Sequence, residues 1–357
     1  MSRARIAVVV SGFPRRSETF AINELLALES RGILACIFAT KPGDGASAQP
    51  GIDRLLPKTH VLAPSTPEGQ GAQVARLLAS DEVSGVHAYF AHTPGEVAME
   101  AAARLNVPFG FSLHARDVRK ADPAALAERA RRAACVIACN PDVARDLDRI
   151  GGRAHLVPHG VDLVRFRPRP EPCADRLRLL AIGRLVEKKG FDVLIAAVAR
   201  ARGASLRIVG DGPLRPQLEH QIRALGAGGR ITLVGARTHA ELPDEYADAH
   251  AVAVPSVVDS SGDKDGLPNV VLEAMASGRA VVATDVGAIT SGVRHGTTGL
   301  IVPPRDAEAL RRAIELLAAR PEWRAAMGAQ ARRVVEHEFD LQRCAGVFAD
   351  LVEHAYA

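Results

Sequence analysis

The stretch Arg165-Phe-Arg-Pro-Arg-Pro-Glu-Pro172 divides this sequence of 357 residues into two halves. Pro168, Pro170 and Pro172 alternate in it, and proline lacks the backbone N–H that a central strand or a helix interior uses. We therefore interpret residues 166–176 as a linker between two domains. The length agrees with this division, since domains of roughly 150 residues predict two of them in a chain of this size.

Before the linker, short unbroken apolar runs alternate with amphipathic stretches, which is typical of a parallel sheet covered by helices on both faces. The first predicted helix, residues 18–31, has Ser17 as its N-cap and Gly32 just past its end. The other predicted helices cover residues 96–105, 123–132 and 141–150. The predicted strands are Arg5–Val10, Leu34–Phe38, Val86–Phe90, Phe109–Leu113, Cys135–Ala138 and Ala154–Val157.

After the linker the same alternation starts again. The predicted strands are Leu179–Ile182, Leu206–Val209, Ile231–Val234, Val252–Val254, Val281–Ala283 and Leu300–Val302. The predicted helices cover residues 191–201, 268–277, 306–319 and 323–337, with another that begins near Leu214. The predicted fold class is α/β, with two Rossmann-like βαβ domains over residues 1–165 and 177–340. Because such sheets bind ligands at the carboxyl ends of their strands, we expect a cleft between two facing domains to be the active site.

The last segment, residues 341–357, follows the second domain and contains one more amphipathic helix. Leu341, Ala345, Phe348 and Leu351 have the spacing of a helix with a single apolar face. We predict that this helix crosses back and packs on the N-terminal domain.

The composition, with 47% apolar and 24% charged residues, is that of a globular protein and excludes a disordered or collagen-like chain. The net charge of +4 is small and aromatic residues make up 4%, which argues against a nucleic-acid-binding surface. The five cysteines are odd in number and scattered, so we expect a reducing, cytoplasmic environment. No apolar run reaches the roughly 18 residues of a membrane span, and Ile6–Val10 is too short for a signal-peptide core.

The densest group of candidate site residues is Asp265-Gly-Leu-Pro-Asn-Val-Val-Leu-Glu273. Pro268 stands where the helix is predicted to start and Gly278 where it is predicted to end. Free backbone N–H groups near Gly266 and Leu267 would suit a phosphate, and the two acids of the motif could bind the two ends of a sugar nucleotide. The alternative is an N-cap acid followed by a solvated glutamate, and the spacing alone favours that alternative.

A second candidate is the loop Gly183-Arg-Leu-Val-Glu-Lys-Lys-Gly190 between a strand and a helix. Arg184 and Lys189 could converge on a diphosphate there, and Gly183 would let the backbone approach closely. The alternative is a solvated turn with ordinary surface charges. The loop is neither a Gly-x-Gly-x-x-Gly fingerprint nor a Walker loop.

In the N-terminal half, His114 follows a predicted strand, and Asp117 could orient it. A structural role for this histidine is as compatible with the sequence as a site role. Gly12, in the small-residue loop after the first strand, could let a ligand approach. His87, His92 and His114 belong to different predicted loops, so we expect no metal site among them.

Taken together, these residues resemble the family-4 retaining glycosyltransferases, which have the GT-B fold. The loop Gly183–Phe191 is similar to that family's donor-phosphate loop. The motif Asp265–Glu273 is similar to its acid-x7-acid motif, with aspartate where the family usually has glutamate. Three N-terminal segments resemble landmarks of the branch that builds bacterial exopolysaccharides, including colanic-acid-type enzymes: Phe13–Phe20, Leu113–Asp117 and Pro158–Asp162.

The resemblance implies a hexosyltransferase that moves a sugar from a nucleotide-diphosphate sugar to a saccharide or lipid-linked oligosaccharide, with retention of the anomeric configuration. The product would belong to an exopolysaccharide, a capsule or a lipopolysaccharide, and neither a metal nor a cofactor would be required. The implied catalytic residues are Arg184 and Lys189 on the donor pyrophosphate, and Asp265 and His114 on the donor sugar. Glu273 would hold the ribose.

The resemblance also implies the rest of the site. The remaining donor-binding residues are Gly12, Gly183, Gly266, Leu267, Pro268 and Asn269, and Glu18 and Asp117 are candidates on the acceptor side. A sugar-nucleotide epimerase of the same fold and a non-catalytic sugar-nucleotide-binding subunit are the alternative functions. A lipid-linked acceptor predicts peripheral contact with the inner face of the membrane through basic residues of the N-terminal half: Arg15, Arg16, Arg119, Lys120, Arg129, Arg131 and Arg132.

Overall fold

A computed structural model describes residues 4–15, 18–44, 49–114, 117–118 and 121–357 of the chain. They form two compact units. Unit 1 comprises the described residues of Met1–Gly160 together with Leu341–Ala357, and unit 2 is Val161–Asp340. The predicted linker, residues 166–176, lies within unit 2.

Unit 1 is built on a parallel sheet of seven strands in the order β3-β2-β1-β4-β5-β6-β7. The central strands are fully buried because apolar residues occupy both of their faces. The strands are β1 (Ile6–Phe13), β2 (Leu34–Pro42), β3 (Thr59–Val61), β4 (Gly85–Tyr89), β5 (Phe109–Leu113), β6 (Cys135–Ala138) and β7 (His155–Leu156). The helices are α1 (Thr19–Ser30), α2 (Ile52–Leu55), α3 (Pro67–Leu77), α4 (Thr93–Leu105), α5 (Pro123–Arg132) and α6 (Pro141–Arg149), with a 3₁₀ turn at Leu56–Lys58.

Unit 2 is built on a parallel sheet of six strands in the order β10-β9-β8-β11-β12-β13. The strands are β8 (Leu177–Ile182), β9 (Ala204–Val209), β10 (Ile231–Leu233), β11 (Ala251–Val254), β12 (Ala280–Thr284) and β13 (Gly299–Val302). The helices are α7 (Phe191–Arg200), α8 (Arg215–Ala224), α9 (Leu242–Ala247), α10 (Asn269–Ala276), α11 (Ile289–Gly292), α12 (Ala307–Ala319) and α13 (Pro321–Glu338), with a 3₁₀ turn at Glu187–Lys189. The predicted α/β class with two βαβ units is confirmed.

The last helix, α14 (Leu341–Tyr356), belongs to unit 1, as its apolar spacing predicted. Phe348, Ala349 and Val352 are buried in the same apolar cluster as α1 and β1. The ring of Tyr356 lies against the sheet at Gly85 and Gly110, where a Cβ would come within 2.1 Å and 2.5 Å of the tyrosine atoms. Its hydroxyl lies 3.1 Å from Nδ1 of the buried His87. The helix therefore completes the core of unit 1.

Two local differences from the sequence predictions have physical causes. Helix α3 was not predicted, because Gly69 and Gly71 interrupt its apolar pattern. At Gly71 a Cβ would meet the Glu100 side chain at 2.6 Å, so the glycine permits close packing of α3 on α4. Pro268 is the N-cap of α10 and not its first residue, with ψ at 139°. Ser17, the predicted N-cap of α1, lies outside the described residues.

None of the helices in the described part of the chain is long and apolar enough to cross a membrane. Arg129, predicted as a membrane contact, is buried: it donates to the carbonyl of Ala91 and pairs with Glu96 at 3.1 Å. Arg131 and Arg132 on the same helix are exposed. Arg16, Arg119 and Lys120 lie outside the described residues.

Candidate active site

In unit 2 the candidate residues lie in loops at the carboxyl edge of the sheet. The loop after β8 ends at Gly190, the N-cap of α7, whose φ of +61° is a left-handed conformation that glycine adopts without strain. A Cβ there would come within 2.0 Å of the carbonyl oxygen of Pro255. Glycine thus lets the Lys189 loop pack directly against the loop that follows β11.

That packing brings Lys189 to the buried carboxylate of Asp265. The Lys189 Nζ lies 2.8 Å from Oδ2 of Asp265, and the hydroxyl of Ser256 donates to the same oxygen at 2.7 Å. Burial by itself would raise the pKa of Asp265, but the charge and hydrogen bond of Lys189, with the Ser256 hydroxyl, hold it below its ordinary value. Asp265 is therefore ionised at neutral pH, and it is not an N-cap acid.

The loop that carries Asp265 is held from a second side. At Gly287, with φ +62°, a Cβ would lie 2.1 Å from the carbonyl oxygen of Asp265, so only a glycine fits. The lysine that precedes Lys189, Lys188, pairs mainly with Asp263 at 3.0 Å and lies 3.8 Å from Oδ1 of Asp265. Backbone contacts and paired charges thus fix the position of the carboxylate.

The second acid of the motif, Glu273, is also buried and is not the solvated glutamate of the alternative interpretation. The hydroxyl of Tyr246 donates to its Oε2 at 2.7 Å, and Nε2 of His239 lies 3.7 Å from its Oε1. Burial, with the nearby charge of Glu273, raises the pKa of Tyr246 well above its ordinary value, so the phenol remains a donor. Sequence reasoning missed Tyr246 and His239.

The remaining candidates of unit 2 are more accessible. Arg184 is exposed, and its guanidinium has no hydrogen bond or ion pair with another residue that the structure describes. Gly183 lies against the side chain of Lys189, where a Cβ would be 3.2 Å from the lysine Cε. Gly266, Leu267, Pro268 and Asn269 are half-buried at the start of α10.

In unit 1, His114 directly follows β5 and is 8% exposed. Both of its ring nitrogens are buried without a hydrogen-bond partner among the described residues. The ring packs against Phe20 and Phe90, with centroids 4.7 Å away in each case, and lies 5.2 Å from the ring of His159. Burial, with the charges of His159 and His92, holds the pKa of His114 well below its ordinary value, so the ring is neutral.

Asp117 does not make the hydrogen bond to the His114 ring that the sequence suggested, because its Oδ2 lies 3.8 Å from Nδ1. That oxygen instead accepts the backbone N–H of His114 at 2.9 Å, and Oδ1 accepts the backbone N–H of Ala91 at 3.1 Å. The fully buried carboxylate therefore positions two loops of the sheet edge. Its place on the acceptor side stays a prediction.

Sequence reasoning also missed a buried ion pair next to His114. The Glu24 carboxylate accepts the hydroxyl of Tyr89 at 2.6 Å and lies 2.8 Å from Nδ1 of His159. Burial would lower the pKa of His159, but the charge of the Glu24 carboxylate, with the hydrogen bonds of Cys139 and Glu24, outweighs burial and raises that pKa to about 10. One signal was available, because Glu24 lies on the apolar face of α1 between Ala21, Leu25 and Leu28.

Gly12 and Glu18 lie near the end of β1. Gly12 is buried within the strand, and a Cβ there would be 2.9 Å from the carbonyl oxygen of Pro42. Glu18 pairs with Arg15 at 2.7 Å, while its burial raises its pKa above the ordinary value. Among the described residues, one group could hold a metal ion: one ligand atom from each of His114, Cys139 and His159 lies within 4.8 Å of the others.

Comparisons with known proteins place this chain among glycosyltransferases. A family model described as Glycosyltransferase Family 4 matches residues 17–165, and one described as Glycosyl transferases group 1 matches residues 176–320. The amylovoran biosynthesis glycosyltransferase AmsK of Erwinia amylovora is 25% identical over 96% of this chain and 97% of that protein. A GDP-mannose-dependent alpha-(1-6)-phosphatidylinositol monomannoside mannosyltransferase of Mycobacterium tuberculosis is 34% identical over 210 residues, 55% of this chain. The chain spans about half of that protein, 54% of its length.

Among solved structures, Alr3699/HepE of Anabaena in complex with UDP-glucose superposes with a TM-score of 0.78. It is 22% identical, and the match covers 98% of this chain and 99% of that one. This likeness confirms the predicted GT-B fold. The two family models match consecutive parts of the chain, so it carries a glycosyltransferase family 4 domain in residues 17–165 and a glycosyl transferases group 1 domain in residues 176–320.

Proposed function

We propose that this chain is a retaining hexosyltransferase that takes its sugar from a nucleotide-diphosphate sugar. The observation that carries the proposal is the buried cluster of Lys189, Asp265 and Ser256 at the carboxyl edge of the unit 2 sheet. A half-buried lysine and a buried carboxylate that neutralise each other can exchange that contact for contacts with an anionic substrate. The two glycosyltransferase domains support the same reaction class.

The leaving nucleoside diphosphate gains negative charge as the glycosidic bond breaks. Lys189 turns from Asp265 to the pyrophosphate, and the exposed Arg184 joins it, so two cations stabilise the charge that develops. Asp265 is then free to accept hydrogen bonds from sugar hydroxyls. Glu273, held by the Tyr246 hydroxyl, accepts hydrogen bonds from the ribose.

In unit 1 the neutral ring of His114 contacts the donor sugar. Its two nitrogens, which have no partner among the described residues, offer one donor and one acceptor to a hydroxyl group. Glu18 lies on the acceptor side. In this proposal the acceptor attacks the face from which the diphosphate leaves, and the diphosphate takes the acceptor's proton, so the configuration at the anomeric carbon is retained.

We propose that the reaction belongs to the synthesis of an exopolysaccharide, a capsule or a lipopolysaccharide, with a saccharide or a lipid-linked oligosaccharide as acceptor. The full-length similarity to the amylovoran enzyme supports this class. A lipid-linked acceptor also fits peripheral membrane contact through the exposed Arg131 and Arg132, each contributing about 1 kcal/mol near an anionic leaflet.

Thermal-shift measurements with different nucleotides would identify the donor, since a ligand at 100 times its Kd adds about 2.7 kcal/mol to the free energy of unfolding.

Lys189→Ala tests the proposal. We expect kcat/KM for transfer to fall about 100- to 1000-fold, the effect of removing one donor to a developing anion. Lys188→Ala is the matched control, because the main ion pair of Lys188 is with Asp263. We expect this variant to lose less than about tenfold in kcat/KM. Wild-type transfer by the Lys189 variant would overturn the phosphate assignment, and isomerisation of the donor without acceptor would show an epimerase.

The second test concerns metal dependence. In this proposal Lys189 and Arg184 stabilise the leaving diphosphate, so transfer should not require a divalent metal ion. We expect no loss of rate in excess EDTA. Loss of activity on chelation, restored by Mg²⁺ or Mn²⁺, would contradict the metal-independent mechanism. The anomeric configuration of the product, read by NMR, tests retention separately.

A further inference from the structure

The parallel sheet of unit 1 brings three metal-binding side chains to one place. His114 follows β5, Cys139 follows β6, and His159 comes three residues after β7; these strands are neighbours in the sheet. One ligand atom from each lies within 4.8 Å of the other two. Small side-chain rotations would bring these atoms to the separation of about 3.5 Å found around a tetrahedral zinc ion.

Three of the four ring nitrogens in this group have no hydrogen-bond partner among the described residues outside the group, although His159 and Cys139 interact within it. Both ring nitrogens of His114 and Nε2 of His159 are buried without a hydrogen-bond partner among the described residues. A buried polar group left unpaired costs about 1–3 kcal/mol, so native proteins satisfy such groups with a side chain, a water or an ion. One nitrogen of each ring lies within 4.8 Å of the other and of the Cys139 sulfur, which points to a ligand shared by the three side chains.

The surroundings orient the rings as a metal requires. The Glu24 carboxylate lies 2.8 Å from Nδ1 of His159 and leaves Nε2 as the ligating atom, the carboxylate–histidine arrangement that supports metal sites. The two imidazole rings lie within 16° of parallel with centroids 5.2 Å apart. Two imidazoles bound through nitrogen to one tetrahedral zinc ion have centroids about 5 Å apart. Phe20 covers both rings, with centroids 4.7 Å and 4.2 Å away.

We propose that His114, Cys139 and His159 bind Zn²⁺ through two nitrogens and one sulfur, with the fourth position open to water. On binding, the Cys139 thiol loses its proton to solvent, as does Nε2 of His159 where it is protonated, and no oxidation takes place. The consequence for catalysis rests on the proposed function. A metal ion on His114 removes that ring from the donor sugar, so Zn²⁺ inhibits transfer.

Metal binding is measured directly on the full chain with Co²⁺ as a spectroscopic substitute. We expect one equivalent to give visible bands of tetrahedral intensity and a thiolate-to-cobalt charge-transfer band in the near ultraviolet, both lost on adding Zn²⁺. Cys139→Ser should lose the charge-transfer band and bind Zn²⁺ at least tenfold more weakly, as measured by competition with a chelator. Cys173→Ser, which removes an exposed cysteine of unit 2, is the control and should bind like wild type.

A Co²⁺ spectrum without the charge-transfer band, or wild-type Zn²⁺ affinity in the Cys139 variant, would overturn the site. Glu24→Gln adds a second variant that keeps all three ligands and should weaken Zn²⁺ binding about 10- to 100-fold. Inhibition of transfer by Zn²⁺ in wild type but not in Cys139→Ser supports the link to His114. Tight binding without inhibition would keep the metal site and overturn the role of His114 in transfer.

Discussion

The two units differ in the polar side chains that they carry at the carboxyl edges of their sheets. At the sheet edge of unit 2 both carboxylates already have hydrogen-bond partners, since Lys189 pairs with Asp265 and the neutral Tyr246 hydroxyl donates to Glu273. At the sheet edge of unit 1 the rings of His114 and His159 keep nitrogens without a partner among the described residues. In the function proposed above, unit 2 would bind its ligand by exchanging one partner for another, whereas unit 1 would gain hydrogen bonds that these rings do not make with the described residues.

This difference between the two sheet edges follows from the types of residue that they carry and not from the arrangement of the strands. Both edges are the carboxyl ends of parallel strands, yet unit 2 supplies lysine and acids while unit 1 supplies histidines packed among phenylalanines. A lysine ammonium on a flexible stem can turn from Asp265 to a phosphate. A ring held between Phe20 and Phe90 cannot turn far, so His114 is preorganised.

The largest expected effect concerns the core of unit 1 and tests whether the two units unfold independently. Phe348→Ala in α14 should lower the free energy of unfolding of unit 1 by about 3–5 kcal/mol, because the ring is 1% exposed in its core. Val347→Ala, next to it but 45% exposed, should cost less than about 0.5 kcal/mol. Amide exchange should accelerate in unit 1 only. Equal acceleration in unit 2 would show that the two units unfold as one.

A second prediction concerns the buried ion pair of unit 1. Because the folded pKa of His159 is raised to about 10, its stabilisation is complete below the unfolded value of about 6.5 and is lost as the pH rises toward 10. With chelator present, the free energy of unfolding should fall by several kcal/mol across that window. Glu24→Gln should flatten the curve by removing the carboxylate. An unchanged slope in the variant would mean that the pair does not set this pKa.

The smallest expected effect is the loss of stability when the hydroxyl of one tyrosine in each unit is removed. Tyr246→Phe removes the hydrogen bond that the Glu273 carboxylate accepts from the Tyr246 hydroxyl, and should cost about 1–3 kcal/mol and raise the donor KM. Tyr89→Phe removes a similar bond from Glu24, which keeps His159 at 2.8 Å, and should cost about 1 kcal/mol. Chemical denaturation of both variants gives the ranking. A larger loss in the Tyr89 variant would reverse it.

The elements that the sequence predicted well are those with local signals. Strands such as Phe109–Leu113 and Cys135–Ala138 have the predicted bounds, because each is an unbroken apolar run between turns. Gly32 and Gly278 end their helices with φ of 70° and 69°, as their positions predicted. The helix α3 was missed because tertiary packing on α4, rather than periodicity, explains its glycines.

Individual residues of the candidate site were predictable where they belong to a local motif, but the contacts between them were not. Lys189 and Asp265 stood out in separate motifs, but the contact between them depends on the packing of Gly190 on Pro255. Glu24 and His159 are far apart in the sequence, and neither has a local pattern that names the other as its partner. Contacts of this kind are created by strand order and lie beyond what a single sequence pattern can specify.

The two glycines under Tyr356 have a consequence for synthesis on the ribosome. All residues of unit 2, Val161–Asp340, are made before those of α14, so unit 2 does not depend on any segment translated after it. Unit 1 begins first, but the space at Gly85 and Gly110 stays open to water until Tyr356 has emerged. The unit that is translated first is therefore completed last, and a nascent chain stalled before residue 341 would present an unfinished apolar surface to chaperones.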